Sequence, residues 1–240
     1  YPAQAATRRK AKASVTALRR EAAELEAEAE AETLAPAPPP RWQRPKGKGR
    51  PQPALSPAEI GAAHHTFFQH VALDKLADLA AEADRLTAAG HLSAAERAAL
   101  DLPALAAFWD SDLGRQIAAQ PAAVRRELQF TARFRPAEIT ACIGGSSEPG
   151  LADEWVVVQG VADLLVLQPG EIWLVDFKTD HLRKKGDLED KVKTYTPQLQ
   201  LYAAALERIY TRPVTLQALH FLHGHRTVKL GDRQPTATRP

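Results

Sequence analysis

Two long apolar runs, Trp155–Leu167 and Ile172–Lys178, are separated only by Gln168-Pro169-Gly170-Glu171, and no other feature constrains the fold of this chain so strongly. Both are rich in Val, Ile and Leu, and a Pro-Gly turn leaves no room for a crossover. They must therefore pair as an antiparallel hairpin. Each run carries one carboxylate, Asp163 in the first and Asp176 in the second.

The flanks complete an α/β arrangement. Ser56, Pro57 and Glu59 form a helix-start signature that predicts a helix over about Pro57–Ala83, and Ser93 with Glu96 repeats it for a second. Leu102–Ala119 supplies one or two more helices. From Glu127 to Phe134 the period changes to two, with Leu128, Phe130, Ala132 and Phe134 on one face, so this segment reads as a strand. Residues 143–150 read as a loop. A helix over Pro197–Tyr210 and strands at Val214–Leu222 and Thr227–Leu230 follow. The order is helices, three strands, a helix and two strands, which predicts a mixed β-sheet flanked by helices over a domain spanning 57–240.

The segment before this domain has another character. Residues 1–34 pass from basic to acidic within an Ala-, Glu- and Leu-rich stretch, a helix former with nothing of its own to bury. Ser14 is placed to cap a helix there. Residues 35–56 combine prolines with Arg41, Arg44, Lys46, Lys48 and Arg50, which predicts an extended linker. The chain has no Met and starts at Tyr1, so it reads as a piece of something longer.

Composition removes several function classes. One cysteine excludes a disulfide framework and any Cys-ligated zinc or iron–sulfur site within the chain. No apolar run approaches a membrane span and no signal peptide is evident, so the expected setting is the cytoplasm. No Gly-x-x-x-x-Gly-Lys-Ser/Thr loop is present, so no ATP site is expected. A net charge of +2 predicts no partner by itself, and attraction to nucleic acid must rest on local groups such as Arg183, Lys184 and Lys185.

The chemistry lies in the hairpin. A carboxylate among buried β-branched residues costs several kcal/mol unless it is paired or binds a cation. Asp163 and Asp176 fall near each other on adjacent strands, and Asp176 and Lys178 project from one face of theirs. Hard oxygen ligands suit Mg²⁺ or Mn²⁺ rather than zinc, and a neighbouring lysine can orient the attacking water or stabilise charge on a phosphate. These parts describe metal-dependent phosphodiester hydrolysis. A structural salt bridge between Lys178 and one aspartate satisfies the spacing equally well. Glu127, on the preceding strand, either enters the same cleft or makes a cross-strand ion pair. His220, His223 and His225 read as a solvated hairpin edge.

Three segments in order, Gln159-Gly160-Val161-Ala162-Asp163, Val175-Asp176-Phe177-Lys178-Thr179-Asp180 and Pro197-Gln198-Leu199-Gln200-Leu201-Tyr202, resemble the nuclease domain of AddA. AddA is a bacterial helicase–nuclease related to RecB, within the PD-(D/E)XK nuclease superfamily. Gly61-Ala62-Ala63-His64-His65 resembles the family's glycine-x-x-x-histidine helix, and Ser14-Val15-Thr16-Ala17-Leu18 resembles the join to a helicase part. The resemblance covers most of the chain and implies a restriction-endonuclease-like core.

It also implies a Mg²⁺ (or Mn²⁺) site made by His65, Asp163, Asp176 and the backbone carbonyl of Phe177, with Lys178 as the catalytic lysine. Gln198 and Tyr202, one helical turn apart, would position the DNA or the lysine. The implied activity is exonucleolytic, on single strands released by helicase domains of the same polypeptide, beside an AddB-like partner, in double-strand-break repair and recombination. His64 leaves the histidine assignment open by one position, although only one of two adjacent helical residues can face the cleft. The competing expectation is a nuclease-like scaffold that binds DNA or a partner without cutting.

Overall fold

A computed structural model describes residues 12–14, 55–144, 154–182, 184 and 186–231. Among the described residues six strands form a mixed sheet. Its strands are β1 (Lys12–Ser14), β2 (Val124–Phe134), β3 (Val156–Leu167), β4 (Ile172–Lys178), β5 (Val214–Phe221) and β6 (Arg226–Leu230). The first part of β3 takes β1 in parallel on one edge and the last part takes β4 antiparallel, while β2 runs antiparallel along the other edge. β4 pairs in parallel with β5, and β5 antiparallel with β6.

The helices are α1 (Pro57–His70), α2 (Leu79–Ala88), α3 (Ala94–Ala98), α4 (Leu102–Trp109), α5 (Asp112–Ala118), α6 (Pro136–Ile143) and α7 (Asp187–Tyr210). Two cores result. One packs α1, α2, α4 and α5 against Val124, Leu164, Val166, Val175 and Phe177. The other packs α6 and α7 against Phe130, Ala132, Phe134, Val158, Ala162, Leu165 and Leu174.

Several expectations change. The helix expected over Pro57–Ala83 is two helices: α1 ends at His70, and Asp78 opens α2 by accepting from the Ala81 N–H. The buried carboxylate of Glu82 accepts from the Ala72 N–H, and Arg126 donates to the carbonyls of Phe68 and Val71, so the break is fixed from both sides. The last long helix starts ten residues before Pro197, which sits inside it; acidic residues in the first turn, Asp187, Glu189 and Asp190, suit that helix start. Helix α6 was not anticipated. It begins at Arg135-Pro136, where Glu138 accepts from the Arg135 N–H. Before the domain, Lys12–Ser14 form a strand rather than part of a helix. The rest of the helix expected over 1–34, and the linker to residue 54, lie outside the described residues.

β2 and β3 change the face they bury at one shared position. Val156, Val158 and Ala162 join the core under α7, whereas Leu164 and Val166 join the core under α1. In β2 the same exchange separates Phe130 from Val124. The register brackets it, with Arg126 opposite Leu164 and Leu128 opposite Ala162. Glu127 and Asp163 are the residues in between, and Glu127 has φ 48°, in the left-handed region. A non-glycine residue held there in a strand is strained, and such strain collects at functional sites.

Candidate active site

The two acids of the hairpin meet as the spacing predicts. Leu164 lies opposite Val175 in β3–β4, which brings Asp163 level with Asp176 at the end of the ladder. The Phe177 N–H donates to Asp163 Oδ2 at 2.7 Å, tying the first carboxylate to the backbone beside the second. Lys178 Nζ lies 2.6 Å from Asp176 Oδ2, and both side chains are largely buried. The ion pair allowed by spacing alone is therefore present, but it uses only one of the two acids.

Asp163 belongs to a different group. His65 Nδ1 is 3.6 Å from Asp163 Oδ2 and 3.7 Å from Glu127 Oε1. Each of His65, Glu127 and Asp163 presents a ligand atom within 4.8 Å of the others. Glu127 thus stands in the cleft, brought there by the face exchange in β2.

α1 decides between the adjacent histidines. His64 is buried; its Nδ1–H donates to the Ile60 carbonyl at 2.8 Å and its Nε2 accepts from the Asp101 N–H at 2.9 Å. Both nitrogens are used, so His64 is structural, and His65 faces the acids. Gly61, one turn earlier, sets how near α1 can come. A Cβ there would lie 2.8 Å from Thr179 Oγ1, next to Lys178. Phe68 stacks on Phe177 at 3.7 Å between centroids, holding α1 to β4 just beneath the acids.

α7 covers the other side. Gln198 Nε2 donates to the Tyr202 hydroxyl at 3.2 Å, so the two share a face as expected. Tyr202 is buried against Phe130, with ring centroids 4.9 Å apart. Gly160 makes this possible, because a Cβ would fall 2.5 Å from the Phe130 ring and 2.9 Å from the Tyr202 ring. Lys184 is exposed and its N–H donates to Asp187 Oδ2, at the start of α7. Arg183 and Lys185 lie outside the described residues.

Charge is balanced unevenly. Burial, and then the charge of Asp176, push the Asp163 carboxyl up to about 7, against the opposing pull of His65 and Lys178. Burial disfavours the His65 imidazolium, but the Glu127 hydrogen bond and the charges of Asp163, Glu127 and Asp176 overcome it and raise its pKa. One imidazole nitrogen and two carboxylate oxygens, with a third acid behind them under mutual repulsion, fit a divalent cation.

Of the histidines read as a solvated edge, His225 is exposed and His223 half-buried, but His220 is in the core. His220 is buried against Phe108, and burial pushes its imidazole down to about 4. His223 stacks on His181 at 4.0 Å.

The sequence model of the PD-(D/E)XK nuclease superfamily matches residues 32–237, which include every part of this cleft. The chain belongs to the PD-(D/E)XK nuclease superfamily. The matched span contains Asp163 and the run Asp176-Phe177-Lys178. Among curated relatives, an ATP-dependent helicase/nuclease protein of Lacticaseibacillus paracasei is 35% identical over 179 residues, 73% of this chain and 14% of that protein. The protein of the same name from Bacillus licheniformis is 31% identical over 179 residues, 71% of this chain and 14% of that protein. That from Bacillus cereus is 32% identical over 190 residues, 74% of this chain and 15% of that protein. The chain thus spans about one seventh of the length of these relatives.

Glu127 is the residue of the candidate cleft that pattern reading left undecided. The signal available was a charged residue in a strand otherwise alternating apolar and polar; its backbone conformation is not legible from composition.

Proposed function

We propose that this chain is the nuclease module of a longer AddA-like helicase–nuclease, and that it hydrolyses phosphodiester bonds of DNA single strands with a divalent cation. The observation that carries the reading is the convergence of His65, Glu127 and Asp163 beside the Asp176–Lys178 pair. A domain with only structural duties gains nothing from three acids crowded around one imidazole and one ammonium. His65, Asp163 and Asp176, with the Phe177 carbonyl, would hold Mg²⁺, and Glu127 is placed to add a further oxygen. The imidazole in the set favours Mn²⁺ over Mg²⁺. When bound, the cation supplies Lewis acidity, withdrawing charge from phosphate oxygens and acidifying nearby water.

The protein's own groups do the rest. Lys178 brings a positive charge to the developing phosphate charge, in a site where burial strengthens the interaction. Asp176 orients that ammonium through their 2.6 Å contact. Asp163, tied to the Phe177 N–H, keeps a fixed position against His65. Gln198 and Tyr202 would position the DNA or the lysine, and the charges of Arg183, Lys184 and Lys185 would attract the DNA backbone, which makes binding sensitive to salt. Attack at phosphate reads no base, so sequence preference is weak. In the full protein, helicase domains would deliver the strand and an AddB-like partner would work alongside, in the cytoplasm, during double-strand-break repair and recombination.

The test is degradation of single-stranded DNA with Mg²⁺ or Mn²⁺, against EDTA and Asp176→Ala. Cleavage should require the cation and fall by a factor on the order of 100 or more in the variant. Undiminished cleavage by Asp176→Ala overturns the mechanism.

A further inference from the structure

Lysine is a poor choice for a fixed charge, since its four-carbon stem has among the largest rotamer freedom of any side chain. Lys178 is held on two sides. Besides Asp176, its ammonium lies 4.2 Å from the centroid of the Tyr195 ring, on α7. That ring is itself fixed at its far end. The Tyr195 hydroxyl donates to Asp180 Oδ2 at 2.9 Å, and Lys191 Nζ donates to Asp180 Oδ1 at 2.7 Å. Burial works against the Asp180 carboxylate, but those two hydrogen bonds keep it ionised and its pKa low. Phe221 flanks the ring, with centroids 6.4 Å apart.

We propose that Tyr195 is a positioning residue for Lys178: its ring, anchored through Asp180 and Lys191, holds the ammonium over the cleft. The two holds differ in kind. Asp176 offers a full negative charge, but the same carboxylate is a candidate ligand, and a cation drawing on it weakens its grip on Lys178 and repels the ammonium. The quadrupole of an aromatic face is not a ligand for such a cation and keeps its attraction. Tyr195 therefore keeps Lys178 in the cleft when Asp176 is engaged elsewhere. The inference rests on the proposed role of Lys178 in hydrolysis.

Two measurements on the whole 240-residue chain test it, one of them independent of activity. With lysines carrying ¹³C at Cε, the Lys178 ε-methylene is assigned as the signal missing in Lys178→Ala. It is expected upfield of the other lysines, because it lies over a ring face. Tyr195→Phe should keep that shift and Tyr195→Leu should abolish it. In the cleavage assay with Mn²⁺, Tyr195→Leu should lower kcat roughly tenfold with KM for the oligonucleotide unchanged, the size expected for one cation–π contact. Tyr195→Phe should recover most of the rate. Adding Tyr195→Leu to Lys178→Ala should cost nothing further, since the ring acts through the lysine. If the leucine variant does not fold, Tyr195→Gln, which keeps a group that can donate to Asp180 but removes the ring, should likewise abolish the shift and lower kcat.

A Lys178 signal among the bulk lysines, or a folded leucine variant cutting at the normal rate, overturns the inference. Full activity in Lys178→Ala overturns the hydrolytic role of Lys178 instead, and the methylene shift then still decides whether Tyr195 holds it.

Discussion

Replacing Asp163 by Asn should make the cation-free protein more stable, not less. Folding raises the Asp163 carboxyl from 3.8 to about 7, with burial the main cause and the charge of Asp176 next. A raised folded pKa means that the native state binds the proton more tightly than the unfolded chain. The stability so contributed is complete below about pH 3.8 and is lost as the pH climbs through about 7. At about 1.4 kcal/mol per unit, the ionised carboxylate costs the fold up to about 4 kcal/mol at pH 8. Asn avoids that cost and still accepts from the Phe177 N–H; the attraction of His65 and Lys178 is already contained in the rise to about 7. The gain at pH 8 is therefore up to about 4 kcal/mol, or roughly 8–16 °C in Tm for a domain of this size.

Urea and thermal unfolding in EDTA, from pH 4.5 to 8, provide the assay. The variant should lead at pH 8 and the two curves should converge toward pH 4.5. Adding Mn²⁺ should narrow the gap, because only the wild type gains: about 2.7 kcal/mol when the ion stands at 100 times its Kd and about 4.1 kcal/mol at 1,000 times. A variant no more stable than the wild type at pH 8 in EDTA, or a difference that does not shrink with acid, refutes the reasoning.

Mn²⁺ affinity should rise steeply between about pH 6 and 8, because the raised His65 and Asp163 must shed protons to bind; calorimetry in buffers of different ionisation enthalpy measures that release. Gly160→Ala should destabilise by about 1–3 kcal/mol in urea unfolding, since its Cβ collides with two rings that α7 and β2 hold in place. The neighbouring histidines should separate cleanly: His65→Ala should lose Mn²⁺ heat at nearly normal Tm, whereas His64→Ala, which orphans the Asp101 N–H, should lose about 1–3 kcal/mol of stability.

Much of this site was readable because the hairpin is local. A four-residue turn fixes which residues of β3 and β4 can meet, so Asp163 and Asp176 come together without any long-range information. The capping boxes of α1 and α3 were equally legible, as both partners lie within three residues. What escaped depends on distant parts of the chain. The break after His70 is held by Glu82 and by Arg126, a strand residue 55 positions from the Val71 carbonyl it caps. The long α7 hid behind Pro197, whose preference for a helix start was overridden by the acidic first turn and by burial of Leu199, Leu201, Tyr202 and Ala205. Glu127 stayed ambiguous because period-two reading assumes that a strand keeps one face toward one core, and β2 does not.

That exchange of faces has a consequence for how such a chain can change over time. The buried side chains of β2 and β3 are claimed by one helical layer or the other, and a polar replacement at one of them disturbs the core it belongs to. At Glu127 and Asp163 neither layer makes a claim. The chemistry therefore occupies a seam that can be rewritten, or erased, while the architecture around it survives, and descendants that keep the scaffold but abandon catalysis should arise there first.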